Sequence, residues 1–426
     1  MHNPVKHDLG WMSFSVIAVA LVLFAVRYGS SIMDSGVVFD EQFITVPIFD
    51  LIEQGWSVQT AIDFEETKGP AMIWPYAAIG ELFGGSLNAL RLVSLLSSVA
   101  CMAVLTFIAS LCGVRRAGHL AVAVGWVLLP YVLVFSEIVM GEISFILFEL
   151  LAVAVYLQSL RTNTRALLLP VLFCVLTAIA LHSRIHVVAL VGGICLVAFL
   201  RDGVRSWPWW VAGACAGLLR IPLLVRWDGL VSPKYQNLHA LGFRLESLSY
   251  LAAALAPFVA VFAVQAWHVK RNKKWLVTAA CLGVALLFIA PPTLVVPETI
   301  DYEHATDRFQ GIIGTAVLMV TKDSTLQQLL LAALAAIGLA GLLGLRLQLH
   351  QYDQTIKSTA LRITFWTLTI GWLLYACTQG FVFDRFLLVW AFLLPIFWWT
   401  QLPRYLFALQ ALAMFAIALR LAVVWL

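Results

Sequence analysis

The sequence predicts an all-α protein, a polytopic transmembrane helical bundle with about 13 membrane spans. Three features of its composition support this fold class. Of its 426 residues, 62% are apolar and only 12% are charged, and the mean hydropathy is +0.92. Soluble globular proteins contain about 45–50% apolar and about 25% charged residues. So little charge excludes a soluble globular domain, a disordered chain, a disulfide scaffold and a nucleic-acid-binding protein.

The spans follow from the length that a membrane helix requires. A helix needs about 20 apolar residues to cross the hydrocarbon core, and about 17–25 are tolerated. The stretch from Gly69 to Gly84 is shorter and contains Pro75, so it is predicted to lie at the membrane surface or to dip into it. The predicted spans are 11–29, 91–112, 118–135, 138–159, 166–182, 186–200, 208–224, 248–268, 275–296, 326–345, 361–377, 385–401 and 404–425.

Basic residues orient the predicted bundle. With the N-terminus in the cytoplasm, basic turns such as Arg115-Arg116 and Lys270–Lys274 fall on the inner side, as the positive-inside rule requires. The first span is not followed by a small-residue signal-peptide cleavage site, so it is expected to remain as a membrane anchor. With no repeat or separate soluble domain in the sequence, residues 1–426 are expected to form one transmembrane domain. The long loops on the outer side are then 30–90, 225–247 and 297–325.

The first outer loop carries an acidic pair, Asp40-Glu41, shortly after the first span. Ile44, Ile48 and Leu51 follow at helical spacing, which predicts an amphipathic helix in the membrane interface. An acidic pair at the start of such a helix has two interpretations. It either caps the helix, because the helix dipole favours negative charge there, or it supplies a functional carboxylate.

A second group of acids surrounds the outer turn before the fourth long helix. Glu137 and Glu142 lie in this turn, and Glu149 follows Glu142 by seven residues, which places both on one helix face. A carboxylate that faces lipid is costly, so Glu149 is expected to face the interior of the bundle. Glu137 and Glu142 are either solvated loop acids or part of a site, and the residue pattern leaves both interpretations open.

Basic residues at the outer ends of helices are candidates for binding a phosphate. Arg184 lies in "LHSRIHVV" and Arg385 lies in "FVFDRFLLVW", each at a predicted outer boundary. A guanidinium there either binds a phosphate through two parallel hydrogen bonds or simply extends to the lipid headgroups. Asp384 precedes Arg385 directly and is placed to orient its guanidinium.

The sequence contains no motif that predicts a metal site. The outer loop 297–325 begins with hard oxygen ligands and one histidine, but their spacing matches no metal-binding pattern. A solvated acidic loop over the site is the preferred interpretation, and a divalent metal is the alternative. The possible ligands are Glu298, Asp301, Glu303, His304 and Asp307.

Taken together, several motifs resemble a known enzyme family. These are the acidic pair after the first span, "KGP" with an aromatic-rich amphipathic stretch, a "G…ALR" turn into the next span, and a late "DRFLLVWAFLLP". Their order and placement resemble the polyprenyl-phosphate-sugar-dependent membrane glycosyltransferases of the C-type superfold (GT-C). This group includes the protein O-mannosyltransferases and the lipid A aminoarabinose transferases. The resemblance covers the first half of the chain and recurs around the late motif.

The resemblance implies roles for the two acidic regions and for one arginine. Asp40 matches the first-loop acid that acts as general base or orients the acceptor, and Glu41 would support it. Glu142 matches an acid in the second outer turn that is usually Asp in the family, so this position departs from the pattern. Arg184 matches the basic residue between the fifth and sixth spans.

The resemblance also implies a donor site. Lys68, before Gly69-Pro70, matches a position close to the donor, and Asp384-Arg385-Phe386 matches a late pattern in which the third residue is usually Tyr. Glu137 is added as a substrate-binding candidate because it shares the outer turn with Glu142. The sequence has no counterpart of the C-terminal soluble domain of some members, so acceptor recognition is expected in the outer loops.

These residues predict a glycosyltransferase that takes a hexose or pentose from a polyprenyl-phosphate donor. Cations would stabilise the phosphate leaving group. A carboxylate would accept the acceptor's proton, with Asp40 as the first candidate for this catalytic base and Glu142 as the second. We expect inversion at the anomeric carbon by single displacement. The acceptor would be an envelope glycolipid, a polysaccharide or a protein, and the protein would lie in a bacterial inner membrane with its site on the outer side.

Two other functions remain as alternatives. A transporter or flippase of a lipid-linked substrate would also need charge within the membrane, but such proteins commonly contain internal repeats and broken helices, neither of which is evident in the sequence. A ligase or polymerase of the O-antigen type would be expected to carry its largest loop late in the chain. Here a long loop comes first.

Overall fold

The computed structural model confirms an all-α fold, a bundle built from long apolar helices. The described residues are 9–57, 59–60, 64, 68–162, 167–238, 242–294, 309–351, 354–377 and 382–425.

Helices account for most of the described residues, and one short pair of parallel strands joins two distant segments. The strands are β1 (Phe309–Gln310) and β2 (Val382–Phe383). The helices in chain order are α1 (Leu9–Gly29), α2 (Gln42–Gln54), α3 (Trp74–Leu82), α4 (Leu87–Leu111), α5 (Ala117–Leu128), α6 (Val132–Phe135), α7 (Glu142–Thr162), α8 (Leu168–Ser183), α9 (Val188–Asp202), α10 (Trp207–Trp227), α11 (Leu245–Ala254), α12 (Ala256–Trp267), α13 (Lys270–Ile289), α14 (Ile312–Val320), α15 (Ser324–Leu347), α16 (Ile356–Leu374), α17 (Leu388–Ala391), α18 (Leu394–Gln401) and α19 (Arg404–Trp425).

Within the described residues, eight helical runs are long and apolar enough to cross a membrane, or nine if one bent pair counts as a span. The run Ile185–Trp227 contains 43 residues and covers two predicted spans, which the 3-10 turn Gly203–Ser206 separates. The chain is therefore an integral membrane protein, but the predicted count of 13 spans is not confirmed. The runs are Leu9–Gly29, Leu87–Leu111, Glu142–Thr162, Ile185–Trp227, Lys270–Ile289, Ser324–Leu347, Ile356–Cys377 and Arg404–Val423.

The predicted span 385–401 differs most from the structure. It divides into a 3-10 turn, α17 and α18, with a break before Pro395. Proline has no amide hydrogen to donate to the residue four positions earlier, so the helix ends at Ala391 and restarts at Leu394. Almost all of this segment is buried. The sequence could not distinguish an apolar run inside the protein from one that faces lipid.

Three other predicted spans also differ from straight membrane helices. The span 118–135 is the 12-residue helix α5, a left-handed residue at Tyr131 (φ 71°) and the single turn α6. The span 166–182 is the 16-residue helix α8. The span 248–268 consists of α11 and α12, which meet at an angle of 69° beside Pro257.

The two short helices predicted in the first loop are present. α2 buries Ile44, Ile48 and Leu51 on one face, as their spacing predicted. In the region Gly69–Gly84, the structure forms a 3-10 turn followed by the nine-residue helix α3, which is too short to cross a membrane.

Several helix ends meet at one end of the bundle and position the site. The C-terminal ends of α1 and α8 and the N-terminal end of α7 lie there. Three 3-10 turns pack over these ends, because apolar residues in and beside them are buried against the bundle. The turns are Phe39–Glu41, Pro70–Met72 and Asp384–Leu387.

Candidate active site

Two ion pairs form the centre of the site. Arg385 Nη1 lies 3.0 Å from Asp40 Oδ2, and Arg184 Nη2 lies 2.9 Å from Glu142 Oε1. Lys68 is buried beside them and interacts electrostatically with all four groups. Five of the residues predicted from the sequence are thus brought together, although they come from five separate segments of the chain.

Lys68 is positioned through the backbone that follows it. The Gly69 amide donates a hydrogen bond of 2.8 Å to the carbonyl of Ser183, one residue before Arg184. A β-carbon at position 69 would overlap the carbonyl oxygen of His182. Glycine therefore allows this segment to press against the end of α8, which places Lys68 next to Arg184.

Charge and burial set the protonation states in the site. Burial, the largest effect, lowers the pKa of Lys68 to about 8, and the neighbouring arginines act in the same direction against Glu142 and Asp40. Burial alone would raise the pKa of Asp40, but Arg385, Lys68 and Arg184 together hold it below its usual value. Asp40 is therefore a carboxylate at neutral pH.

Some polar atoms of the site have no partner among the residues that the structure describes. Arg385 Nε and Glu142 Oε2 are buried and make no hydrogen bond there. Lys68 likewise has no hydrogen-bond or ion-pair contact within those ranges. Buried polar groups nearly always have partners, so these atoms are available to a bound ligand.

Glu41 follows Asp40 in the chain, and both of its carboxylate oxygens accept hydrogen bonds. It accepts two hydrogen bonds from Arg91, of 3.0 and 2.7 Å, and one from each of the Val38 and Val139 amides, both 2.8 Å. Arg91 also donates to the carbonyls of Ile32 and Gly36. Glu41 thus joins the first loop to the turn before α7, and its predicted contact with substrate stays a prediction.

Both carboxylate oxygens of Asp384 also accept hydrogen bonds from within the protein. Its Oδ1 accepts a hydrogen bond of 2.6 Å from the Tyr131 hydroxyl, and its Oδ2 accepts one of 2.9 Å from the Ile313 amide at the start of α14. Gly311 (φ 135°) lies so close that a β-carbon there would overlap the carboxylate. Burial raises the pKa of Asp384 to about 6, against these hydrogen bonds and Arg385.

Glu137 pairs with Arg27 of α1 at 3.5 Å. Burial raises the pKa of Glu137 to about 7, while Arg27 opposes the shift. Glu149 is fully buried in α7, as predicted, and its oxygens make no hydrogen bond to the described residues. Neither carboxylate interacts with the five central groups, so the predicted substrate contact of Glu137 has no geometric support.

Several aromatic side chains pack around the two arginines. Arg385 lies 4.4 Å from the ring of Phe383, and Arg184 lies 5.7 Å from the ring of Phe386. His186 stacks on Phe386 at 5.0 Å and on Tyr375 at 5.2 Å, and it shares a 2.8 Å hydrogen bond with the Tyr375 hydroxyl. These rings fix the turns that carry the guanidinium groups.

Sequence reasoning did not assign roles to several residues that build the site. Arg91 and Arg220 are fully buried within apolar helices, and Arg27 is nearly so. Arg220 donates to the Leu181 carbonyl and interacts electrostatically with Arg184. A single cation within an apolar helix is itself a signal, since such a charge is costly without a partner.

A cavity of about 1230 Å³ opens beside the ion pairs. Gln42, Pro70 and His182 line it, and each lies two residues from Asp40, Lys68 or Arg184. Aromatic residues such as Trp56 and polar residues such as Gln54 also line it. None of the five charged residues lines the cavity itself, which extends along α2 beside the charged centre.

The possible metal ligands of the loop 297–325 lie outside the described residues: Glu298, Asp301, Glu303, His304 and Asp307. Within the described ranges, no three His, Cys, Asp or Glu side chains come together as a metal site requires. The residues at the charged centre include two carboxylates, each already paired with an arginine.

Comparison with solved structures finds one similar protein in two states. These are the crystal structures of ArnT from Cupriavidus metallidurans in the apo state and bound to undecaprenyl phosphate. Each is 15% identical to this chain, with a TM-score of 0.40. The alignments cover 91% and 92% of this chain and 77% of ArnT. No family model and no curated protein matches the sequence. A likeness at this level of identity and TM-score assigns no family to this chain.

Proposed function

We propose that the protein is a glycosyltransferase that moves a sugar from a polyprenyl-phosphate-linked donor to an acceptor at the outer face of the membrane. The observation that carries this proposal is the excess of buried positive charge at the site. Three cations, Lys68, Arg184 and Arg385, face two carboxylates. Arg220 beside Arg184 and Asp384 beside Arg385 add one charge of each sign, so one positive charge remains uncompensated. A lipid-linked sugar phosphodiester carries one negative charge and would balance it.

The unpartnered donors support binding of an anion. Arg385 Nε is buried without an acceptor among the described residues. Lys68 is buried as a residue, and no described residue accepts a hydrogen bond from its ammonium. Leaving a buried donor unsatisfied costs about 1–3 kcal/mol. Donors held in this way need no reorganisation when a phosphate leaving group gains negative charge during transfer.

The position of the site suits a donor that is anchored in the bilayer. It lies where the ends of membrane-spanning helices meet, so a phosphate can reach the cations while its polyprenyl chain stays among lipids. The adjacent cavity of about 1230 Å³ offers room for an acceptor such as a glycolipid, a polysaccharide or a segment of protein.

Asp40 is the proposed base. An acceptor hydroxyl or amine attacks the anomeric carbon, and its proton passes to the Asp40 carboxylate. The bond between the anomeric carbon and the phosphate oxygen breaks, and polyprenyl phosphate leaves with the bonding electrons. Glu142 Oε2, which has no partner among the described residues, is placed to orient the acceptor. A single displacement of this kind inverts the anomeric carbon.

The first prediction tests this proposal with the variant Asp40→Asn. The amide cannot accept the proton, so transfer of sugar is expected to fall by at least about 100-fold, the usual range for a lost general base. Mass spectrometry of envelope glycolipids, polysaccharides and glycoproteins from cells with and without the protein identifies the product and measures its loss.

The matched control is Glu53→Gln, which changes an exposed acid on α2 without touching the charged centre. It should leave product levels unchanged. Full product formation by Asp40→Asn would remove Asp40 as the base. Retention of configuration in the product would exclude the single displacement, and identical glycan profiles with and without the protein would contradict the glycosyltransferase itself.

A further inference from the structure

An apolar groove of about 710 Å³ lies between α12 and α13 and shares no lining residue with the active site or its cavity. Val264 and Trp267 form one wall, Val277 and Ala280 form the other, and Ala340 of α15 lies at the base. Val264, Trp267 and Val277 are each 46–48% exposed, so the groove is open along the surface of the bundle.

The groove exists because α12 and α13 both pack against α15. Gly338 and Gly341 allow α15 to approach its partners so closely that a β-carbon would overlap the carbonyls of Ala252 and Val259. A glycine of α13, Gly283, likewise lies against Ala335. With both helices held on α15, the space between them remains unfilled by side chains of the described residues.

Four cations lie at one end of this groove. Lys270, Arg271, Lys273 and Lys274 are exposed at the start of α13, and none of them pairs with an acid in the described ranges. Lys273 Nζ lies 5.3 Å from the ring of Trp267, which itself lines the groove. The charge is therefore directly at the groove's mouth.

These cations lie where a helix favours the opposite charge. The N-terminus of a helix carries partial positive charge, and acids are normally favoured in its first turn. The first turn of α13 contains no acid, and the preceding residue, Val269, offers no side-chain cap. An anion bound there would interact favourably with both the helix end and the cations.

The length of the groove fits an acyl chain of one leaflet. From Leu276 to Ala285, α13 rises about 14 Å at 1.5 Å per residue. Half of a hydrocarbon core of about 30 Å is about 15 Å. A lipid whose phosphate contacts the start of α13 could therefore lay one acyl chain along the whole groove.

We propose that this groove binds an anionic phospholipid of the bilayer. Its phosphate contacts the cations at the start of α13, and an acyl chain lies between α12 and α13 over Ala340. Clusters of four or more basic residues beside a membrane helix attract anionic lipids, and the groove adds a fixed place for the chain. This site is independent of the proposed glycosyltransferase activity.

Native mass spectrometry of the purified full-length protein tests the proposal, with phosphatidylglycerol and phosphatidylcholine of identical acyl chains. The wild-type protein should bind phosphatidylglycerol at least about tenfold more tightly, because four basic residues at the start of α13 attract its net negative charge. One variant replaces Lys270, Arg271, Lys273 and Lys274 with Gln, and a second, Ala280→Phe, fills the groove and keeps the charges. Each should lose about tenfold of the affinity for phosphatidylglycerol.

A control variant replaces Arg115 and Arg116, an exposed basic pair elsewhere in the chain, with Gln and should retain the affinity. Equal binding of the two lipids by the wild-type protein would overturn the proposal. So would unchanged binding by Ala280→Phe, since the charges would then attract lipid without a groove. A loss of affinity in the Arg115/Arg116 control that matches the loss in the α13 variant would also overturn it. Monodisperse elution of each variant on size exclusion establishes that it is folded.

Discussion

At the residue scale, Lys68 gives the site a defined dependence on pH. Its pKa is about 8 in the folded protein, below the ordinary value of 10.5, so the ammonium is charged below pH 8 and neutral above it. Because the charged form binds the donor phosphate, kcat/KM for the donor should fall as the pH rises through about 8. The pH profile of kcat/KM reports groups of the free enzyme and is the appropriate measurement.

The variant Lys68→Arg separates this effect from titration of the acceptor. A guanidinium stays charged at every pH used, so the decline above pH 8 should disappear in the variant. A wild-type profile that stays flat between pH 7 and pH 9.5 would contradict the role of Lys68, as would a variant profile with the same decline.

Single residues also mark where sequence reasoning reaches its limit. The residue types and positions of Asp40, Glu142, Arg184 and Arg385 were sufficient to select them as candidates, whereas Lys68 was selected through the family resemblance. Their pairing was not, since Arg184 and Glu142 are 42 residues apart and contact one another only through tertiary packing.

Glu41 is a residue whose structural contacts could not be predicted from the sequence. The sequence shows an acid next to Asp40, but it does not show that Arg91 and two amides occupy its carboxylate. Removing one partner of a buried ion pair usually costs about 3–5 kcal/mol. A substitution of Glu41 therefore acts through the fold as well as through the position of Asp40.

At the scale of elements, the site depends on the contact between the Lys68–Pro70 segment and the end of α8. The variant Gly69→Ala should disrupt it, because a β-carbon would overlap the His182 carbonyl. The backbone carrying Lys68 would then move away from Arg184. We expect KM for the donor to rise at least about tenfold, because a displacement of about 1 Å in a positioned group can cost about 100-fold.

A matched control for this prediction is Gly217→Ala in α10, where a β-carbon would meet no atom within 4 Å. This helical position should gain about 0.5–1 kcal/mol of stability from alanine and keep its kinetics. Steady-state kinetics of both variants with the same donor decides the matter. Unchanged KM in Gly69→Ala would mean that Lys68 does not depend on this contact.

Elements were predicted well where periodicity and composition agree. α1, α4 and α15 were predicted as uninterrupted apolar helices, and α2 was predicted from three residues at helical spacing. The segment 385–401 was predicted wrongly as a continuous span, because hydropathy alone does not distinguish burial in protein from contact with lipid.

At the scale of the whole molecule, the proposed orientation places the cavity on the outer side of the membrane. Trp56 lines this cavity and is 47% exposed, so Trp56→Cys should react with a membrane-impermeant maleimide in intact cells. The experiment requires Ser in place of the exposed native cysteines. These are Cys215, Cys281 and Cys377.

The corresponding control is Arg115→Cys, at a turn that the positive-inside rule assigns to the cytoplasm. It should react only after the cells are permeabilised. Labelling of position 56 solely after permeabilisation would reverse the orientation and place the site on the cytoplasmic side.

The distance along the chain between Asp40 and Arg385 has a consequence for biosynthesis. The ion pair joins residues 345 positions apart, and Asp384 is bound by a residue 253 positions earlier. At about 5–20 residues per second, a ribosome needs roughly 17–70 s to pass from one partner to the other. During that interval the first loop is already synthesised, but Asp40 lacks its ion-pair partner Arg385. A chain released before residue 382 would contain most of its long apolar helices and still lack an assembled site.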